Sequence, residues 1–169
     1  LDIDERSLSE VGRWPWSRDK MAKLVDRLFN EYGVAILGFD VVFAEPDNSS
    51  GLRSLESLAG GELRGDSAFQ ATLRGLRGQL DYDRRFAESL RGRPAVLGYY
   101  FTNLDKAHRS GVLPEPAVAA AAFKDRKIAF TTWTGFGANL PEFQKPVVNA
   151  GHFNPMVDFD GISRRVPML

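Results

Sequence analysis

The fold is decided by the run VAILGFDVVF at residues 34–43. It carries a single charge and is bounded by Gly33 and Pro46, a pattern typical of a strand that is covered on both faces. In the segment before it, apolar residues recur at helical spacing, at positions 21, 24, 25, 28, 29 and 32. This spacing predicts a helix with Ser17 as its N-cap and Gly33 as its left-handed stop.

Two further segments are predicted to be strands of the same sheet, residues 1–5 before the helix and residues 95–101 further along the chain. Strand, helix and strand with short joins form a right-handed crossover, so residues 1–5 and 34–43 are predicted to be parallel neighbours. A second helix is predicted to open at Asp83, to turn Phe86 and Leu90 inward, and to end at Gly92 and Pro94. A second crossover unit would then consist of residues 34–43, this helix and residues 95–101.

Between these units the composition shifts to Asn, Ser, Gly and Arg, which predicts an insertion at residues 48–80. Within it, Phe69, Leu73 and Leu76 are spaced for an amphipathic helix over residues 67–77. The C-terminal part is predicted to contain a short helix at 117–123, a strand at 127–133, and a break at Gly135-Phe136-Gly137. A hairpin is expected where residues 147–157 and 162–168 flank the turn at 158–161.

The sequence therefore predicts an α/β fold, with a mostly parallel central sheet flanked by helices and an antiparallel C-terminal hairpin. With 169 residues, the chain has the length of one ordinary domain. We expect a single domain over residues 1–169.

Composition excludes several classes of function. The 22 Lys and Arg residues balance 22 Asp and Glu residues, so the basic face of a nucleic-acid binder is not expected. With no cysteine, there is no disulfide framework and no thiolate site. No segment has the roughly 18 consecutive apolar residues of a membrane span. Because the chain begins at Leu1 without a methionine, we expect it to be a piece of a longer protein.

Acidic residues lie in the first predicted strand and in or just after the second. If those strands are parallel neighbours, Asp2 and Asp4 converge with Asp40, Glu45 and Asp47 at the carboxyl edge of the sheet, where α/β folds bind ligands. Carboxylates gathered there could hold a divalent cation. Alternatively, they cap loops or pair with Arg13 or Arg18. We favour the alternative, because no phosphate-binding glycine motif accompanies the acids.

The remaining candidates are aromatic and polar. Trp14 and Trp16 flank Pro15. They either form an aromatic wall for a ligand or plug the end of the sheet, and we favour the second role. His152 and Asn154 lie in a predicted strand. No nucleophile with a base and an orienting acid, zinc-binding helix or phosphate loop is present, so no catalytic residue, metal ligand or cofactor is expected. Arg164 and Arg165 would point to opposite faces of a strand.

Several blocks of the sequence resemble the CHASE type 2 family. They are Asp2-Ile3-Asp4, GRWPWSR at residues 12–18, FDVVFAEPD at 39–47, DRRFA at 83–87, GHFN at 151–154, and the Asp-Gly and Arg-Arg pieces near the C-terminus. The order and spacing of these blocks cover well over half of the chain.

The resemblance implies the extracytoplasmic input domain of a bacterial transmembrane receptor. Its partners would be an unknown small-molecule or protein signal and flanking transmembrane helices, and its output an adenylate cyclase, histidine kinase, serine/threonine kinase or diguanylate cyclase. The sensing region is predicted to contain Asp4, Trp14, Trp16, Arg18, Asp40, Glu45, Asp47, His152 and Asn154. The alternatives are a metal-dependent hydrolase with an acidic cluster and a module that dimerises receptors as homodimers.

Overall fold

The computed structural model describes residues 1–104, 108–124, 128 and 131–165. Its helices are α1 (Glu5–Val11), α2 (Arg18–Asn30), α3 (Leu52–Gly60), α4 (Ser67–Leu80), α5 (Tyr82–Leu90), a 3-10 turn (Ala120–Phe123) and α6 (Pro141–Gln144). Its strands are β1 (Leu37–Gly38), β2 (Ala95–Thr102), β3 (Arg109–Ser110), β4 (Gly135–Gly137), β5 (Ala150–His152), β6 (Met156–Val157) and β7 (Ser163–Arg165).

The chain divides into two compact units, which are described separately. The helical unit comprises Leu1–Val34 and Pro46–Arg91, and the sheet unit comprises Ala35–Glu45 and Gly92–Leu169. The prediction of one sensory domain with an insertion at 48–80 stays a prediction. The predicted α/β class is confirmed, because the described residues combine helices with a mixed, mostly parallel sheet and an antiparallel hairpin.

The core of the helical unit lies between α2 and α5. Val25 on α2 and both Phe86 and Leu90 on α5 are fully buried, so the predicted inward faces of these two helices are confirmed. The predicted helix over 67–77 is confirmed as α4, on which Leu73 is buried. Sequence spacing did not predict α3, whose Glu56 pairs with Arg77 of α4.

The predicted strand at residues 1–5 is wrong. Residues 1–4 form no regular element, and the helix α1 starts at Glu5. The reason is a helix cap: the carboxylate of Asp4 accepts hydrogen bonds from the backbone amide (2.8 Å) and the hydroxyl (2.7 Å) of Ser7. Aspartate at this position satisfies an amide that a helix otherwise leaves unpaired. The predicted parallel pairing of residues 1–5 with 34–43 is therefore wrong too.

In the sheet unit, β2 is the central strand. It pairs in parallel with β1 and with β5, and its C-terminal residues pair antiparallel with β4. In turn, β4 pairs in parallel with β3. The core of this unit contains Phe43, Leu97 and Phe143, all fully buried. The prediction of a buried strand at 95–101 is confirmed by β2, which follows β1 as its parallel neighbour.

The run at residues 34–43 forms a much shorter strand than predicted. Only Leu37 and Gly38 pair with β2, and Ile36 is exposed. The amide of Phe39 still bonds to the backbone oxygen of Val96 (2.9 Å), and further along the amide of Phe43 bonds to the side chain of Asn139 (2.8 Å). The apolar run thus contributes the buried ring of Phe43 to the core of the sheet unit and does not form a continuous strand.

The predicted break at Gly135-Phe136-Gly137 is wrong, since these residues form β4. Close packing requires glycine at Gly135, where the neighbour is backbone, whereas at Gly137 the neighbour is the outer end of the Tyr100 side chain, which can shift. A Cβ added to Gly137 would lie 2.4 Å from the ring of Tyr100, and one added to Gly135 would lie 2.4 Å from the backbone oxygen of His108. The glycines permit this strand to fit between its two neighbours.

The remaining C-terminal predictions have mixed outcomes. The hairpin is confirmed, because β6 and β7 pair antiparallel around the turn at Gly161. The predicted helix at 117–123 is only the 3-10 turn. Of the predicted strand at 127–133, residues 127, 129 and 130 lie outside the described part of the chain, and residues 131–133 form no strand.

Candidate functional site

Two of the predicted site residues, Arg18 and Asp47, meet in the helical unit. The backbone amide of Arg18, at the start of α2, donates to the carboxylate of Asp47 (2.6 Å). The amide of Asp47 in turn donates to the carboxylate of Asp83 (2.9 Å), which lies 3.7 Å from Nε of Arg18. Asp47 therefore caps α2. Ser17 stands at the predicted N-cap position, but its hydroxyl donates to Asp19 (2.5 Å) and caps no amide.

Burial acts on all three charged groups of this cluster. It raises the pKa of Asp83 above its ordinary value, against the hydrogen bond from Asp47 and the charge of Arg18. Burial also acts to raise the pKa of Asp47, but hydrogen bonds from Ser49 and from the Arg18 amide outweigh it and lower that pKa. Burial lowers the pKa of the Arg18 guanidinium. The cluster is thus an ionic joint between the starts of α2 and α5.

Asp4 and Trp16 line a groove of about 730 Å³ between residues 1–11 and α2. The Trp16 ring is buried, and its Nε1 donates to the backbone oxygen of Gly12 (2.7 Å). Trp14 is exposed and packs edge-on against Trp16, with ring centroids 5.8 Å apart. The hydrogen bond from the Ser7 amide lowers the pKa of Asp4. Asp4 therefore caps helix α1, a structural role of the kind expected as the alternative to ligand binding.

Asp40 and Glu45 are exposed residues of the sheet unit, whereas Asp4 and Asp47 belong to the helical unit. Their predicted convergence depended on a first strand that does not exist. Among the described residues, no group of three or more His, Asp and Glu side chains is arranged to hold a metal ion.

A cleft of about 460 Å³ opens in the sheet unit, and we call it the His152 cleft. Its walls come from β2, β3, β4, β5 and the segment before β4. The lining residues are Phe101, Arg109, Leu113, Thr131, Thr132, Trp133, Thr134, Gly135, Phe136 and His152. A cleft of this size lies in the range that small ligands occupy, about 300–1,000 Å³.

Aromatic rings form one wall of the His152 cleft. The rings of Phe101 and Trp133 are stacked, with centroids 6.1 Å apart and planes 13° from parallel. The His152 ring lies 5.7 Å from Phe101 and 6.1 Å from Tyr99. Asn154 does not line the cleft. Its side chain exchanges two hydrogen bonds with the backbone of Phe101 (2.7 and 2.8 Å), and so holds the chain after β5 against β2.

One polar atom of the cleft lacks a partner. Nδ1 of His152 is buried and makes no hydrogen bond within the described residues. A buried polar nitrogen without a partner costs about 1–3 kcal/mol, and an unmade bond of this kind needs an explanation such as a bound group. By contrast, several charged side chains of the groove have partners, as in the Arg6–Glu10 pair and the bond from Lys20 to the backbone oxygen of Val11.

Sequence reasoning identified His152 but missed Arg109 and Trp133 as cleft residues. They are missed because the cleft is assembled from five separated segments, and no local spacing connects them. A weak signal existed in the run TTWT at residues 131–134, where three hydroxyls surround one large ring. Asp83 was predicted to open a helix, but its pairing with Arg18 was not predicted.

The fold defines an α/β domain with a cleft of a size suited to a small ligand. The model of the CHASE2 domain matches residues 1–169, the whole chain. The chain therefore belongs to the CHASE2 domain family. CHASE2 domains are extracellular sensory parts of receptors, and this chain is accordingly a signal-sensing domain. Comparison with curated proteins and with solved structures gave no match.

In the described part of the chain, no helix combines the length and apolarity needed to cross a membrane.

Proposed function

We propose that this chain is the non-catalytic, extracytoplasmic input domain of a transmembrane signalling receptor, and that the signal binds in the His152 cleft. The observation that supports it most directly is the CHASE2 match over the whole chain. In the full-length receptor, membrane helices would flank the domain, and the output would be a cyclase or kinase inside the cell.

The geometry of the cleft supports a role in signalling. Three strands contribute to it, with Phe101 from β2, Phe136 from β4 and His152 from β5. Asn154 fixes the segment that follows β5, and this segment leads directly into the β6–β7 hairpin. A ligand that contacts all three strands would therefore favour one arrangement of the segment that leaves the cleft.

Such a domain signals through differential binding. A ligand shifts the balance between two receptor states only by the difference in its affinity for them. A coupling of about 1–3 kcal/mol corresponds to a change of roughly 5- to 150-fold in the balance. The predicted roles of Asp4, Trp14, Trp16, Arg18, Asp40, Glu45, Asp47 and Asn154 in ligand binding stay predictions.

The location can be tested by thiol labelling, because the chain has no cysteine. Ser54, on α3, is exposed and is replaced by cysteine in the full-length receptor. We expect a membrane-impermeant maleimide to label the S54C receptor in intact cells, while the parent receptor serves as the control for thiols elsewhere. Labelling only after lysis would overturn the extracytoplasmic location.

Dimerisation of receptors through this chain stays a prediction. Sedimentation of the isolated chain tests it, and a monomer at every concentration would contradict it.

A further inference from the structure

The charge of the His152 cleft restricts what can bind there. Arg109 is the charged residue of the lining, and none of the described lining residues is Asp or Glu. The Arg109 guanidinium is exposed, and its recorded hydrogen bond is a long one to the backbone oxygen of Thr134 (3.5 Å). An arginine in this state can pair with a carboxylate by two parallel hydrogen bonds. The cleft therefore favours an anion.

The polar groups of the lining match the same chemistry. The hydroxyl groups of Thr131 and Thr132 can donate hydrogen bonds to an oxygen of the ligand. The hydroxyl of Thr134 already donates within the protein, to the backbone oxygen of Thr102 (3.4 Å). His152 lines the cleft with its ring, whose Nδ1 is buried and therefore out of reach of a ligand. A ligand carboxylate would thus supply acceptors for the two hydroxyls and for Arg109.

The aromatic wall indicates the body of the ligand. The stacked pair of Phe101 and Trp133, together with Phe136, offers flat apolar surface beside the polar groups. Aromatic rings pack against one another in stacked or edge-on geometry, with a gain of about 0.5–1.5 kcal/mol beyond the area buried. A planar ring attached to the anionic group would contact this wall while its charge meets Arg109.

We propose that the His152 cleft binds a small aromatic monocarboxylate. The carboxylate pairs with Arg109 and accepts hydrogen bonds from the hydroxyls of Thr131 and Thr132, and the ring packs against the wall of Phe101, Trp133 and Phe136. This inference rests on the proposed function in one respect only: it names the chemistry of the signal that the sensory domain receives.

The test is calorimetric titration of the 169-residue chain with benzoate. Four matched probes accompany it: benzamide lacks the charge, acetate lacks the ring, cyclohexanecarboxylate lacks the planarity, and benzylamine reverses the charge. We expect saturable binding of benzoate. Each of the other probes should bind more weakly by about tenfold or more, because each loses one charge-assisted bond or one ring contact. Benzamide binding as tightly as benzoate, or an absence of saturable benzoate binding, would overturn the proposal.

Variants locate the binding in the cleft. Arg109→Gln should weaken benzoate binding by about tenfold, the typical value of a hydrogen bond to a charged group. His152→Gln removes a ring from the lining and should also weaken benzoate binding. Matched controls are Arg53→Gln, on α3 of the helical unit, and His108→Gln, the other histidine of the chain; both residues are exposed, and neither change should alter the affinity. Affinity unchanged in Arg109→Gln would contradict the assignment.

Tryptophan fluorescence gives a second readout that does not depend on those variants. Benzoate should change the emission of the parent chain and of Trp14→Phe, and should leave the emission of Trp133→Phe unchanged. A response that survives in Trp133→Phe but is lost in Trp14→Phe would place the ligand elsewhere.

Failure of this proposal is distinguishable from failure of the proposed function. The titrations use the chain without an output, so a negative result removes the ligand class and leaves the receptor location, tested by thiol labelling, untouched. Conversely, benzoate binding in the cleft with no change of output in the full-length receptor would keep the ligand site and overturn the signalling role of the cleft.

Discussion

The helical unit and the sheet unit use opposite chemistry at their polar centres. In the helical unit, the charged groups of Arg18, Asp47 and Asp83 join α2 to α5. In the sheet unit, the neutral amide of Asn139 joins Phe43 to Gly98, and Asn139 is fully buried. Ionised groups titrate and have a large desolvation cost, whereas an amide does not titrate and has a smaller desolvation cost. The stability of the helical unit should therefore depend on pH through its polar centre, and that of the sheet unit should not.

The cavities of the two units also differ in their charged groups. The groove of the helical unit carries both signs of charge, and pairs such as Arg6–Glu10 already compensate them. Among the described residues, the lining of the His152 cleft has one arginine and no carboxylate. A ligand entering the groove would compete with existing ion pairs, whereas an anion entering the cleft would meet an arginine that no described lining residue neutralises. This difference is why we place the signal in the cleft.

The largest effect is expected from removing the amide centre by Asn139→Ala. The amide of Phe43 and the carbonyl of Gly98 would both remain buried without their present partners, at about 1–3 kcal/mol each. We expect a loss of roughly 3 kcal/mol in the free energy of unfolding in urea. Asn149→Ala, at an exposed asparagine of the same unit, is the control and should change little. A loss below about 1 kcal/mol would show that the amide is no structural centre.

The sequence predicted the elements that local periodicity specifies. α2, α4 and α5 carry apolar residues at helical spacing, and each buries that face within its own unit, so pattern and structure agree. The same holds for β2 and for the hairpin, where a turn signal separates two short strands. The type of these elements was therefore predicted correctly, because the residues that decide it are neighbours in the chain.

Prediction failed where distant residues decide the structure. Gly135 and Gly137 form a strand because Tyr100 and His108 pack against them, and no property of the glycines themselves indicates this. The strand predicted at residues 1–5 is wrong for another reason: Asp4 and Ser7 form a local signal for the start of a helix, and the prediction did not use it. The His152 cleft joins five segments, so the sequence could indicate His152 as polar and unusual but could not associate it with Arg109.

The ionic centre should respond to acid in two opposite ways. Burial raises the pKa of Asp83 above its ordinary value of 3.8, so the folded chain holds this proton more tightly than the unfolded chain does. The contribution of Asp83 to stability should be greatest below pH 3.8 and fall as the pH rises through the folded pKa. For Asp47, burial is outweighed by its hydrogen bonds and the pKa is lowered. Its contribution should be complete above pH 3.8 and be lost as the pH falls through the folded pKa.

Unfolding curves measured between pH 2 and pH 7 test both signs. The stability of the parent chain relative to Asp83→Asn should decrease with rising pH, and its stability relative to Asp47→Asn should increase. Asn139→Ala is the matched control from the sheet unit, and its difference from the parent should stay constant across this range, because the amide does not titrate. The same sign for both aspartates would contradict the ionic description of the joint.

The smallest effect is expected at a helix cap of the helical unit. The carboxylate of Asp66 accepts from the amides of Ala68 (3.0 Å) and Phe69 (2.9 Å) at the start of α4. Asp66→Ala should lower the free energy of unfolding by about 1 kcal/mol, whereas Asp66→Asn, which keeps an accepting oxygen, should lower it by less. Amide exchange measured by mass spectrometry should accelerate in the first turn of α4 and not in β2. Equal effects of the two substitutions would mean that the side-chain oxygen does not cap this helix, and that packing of Leu73 alone holds α4 in place.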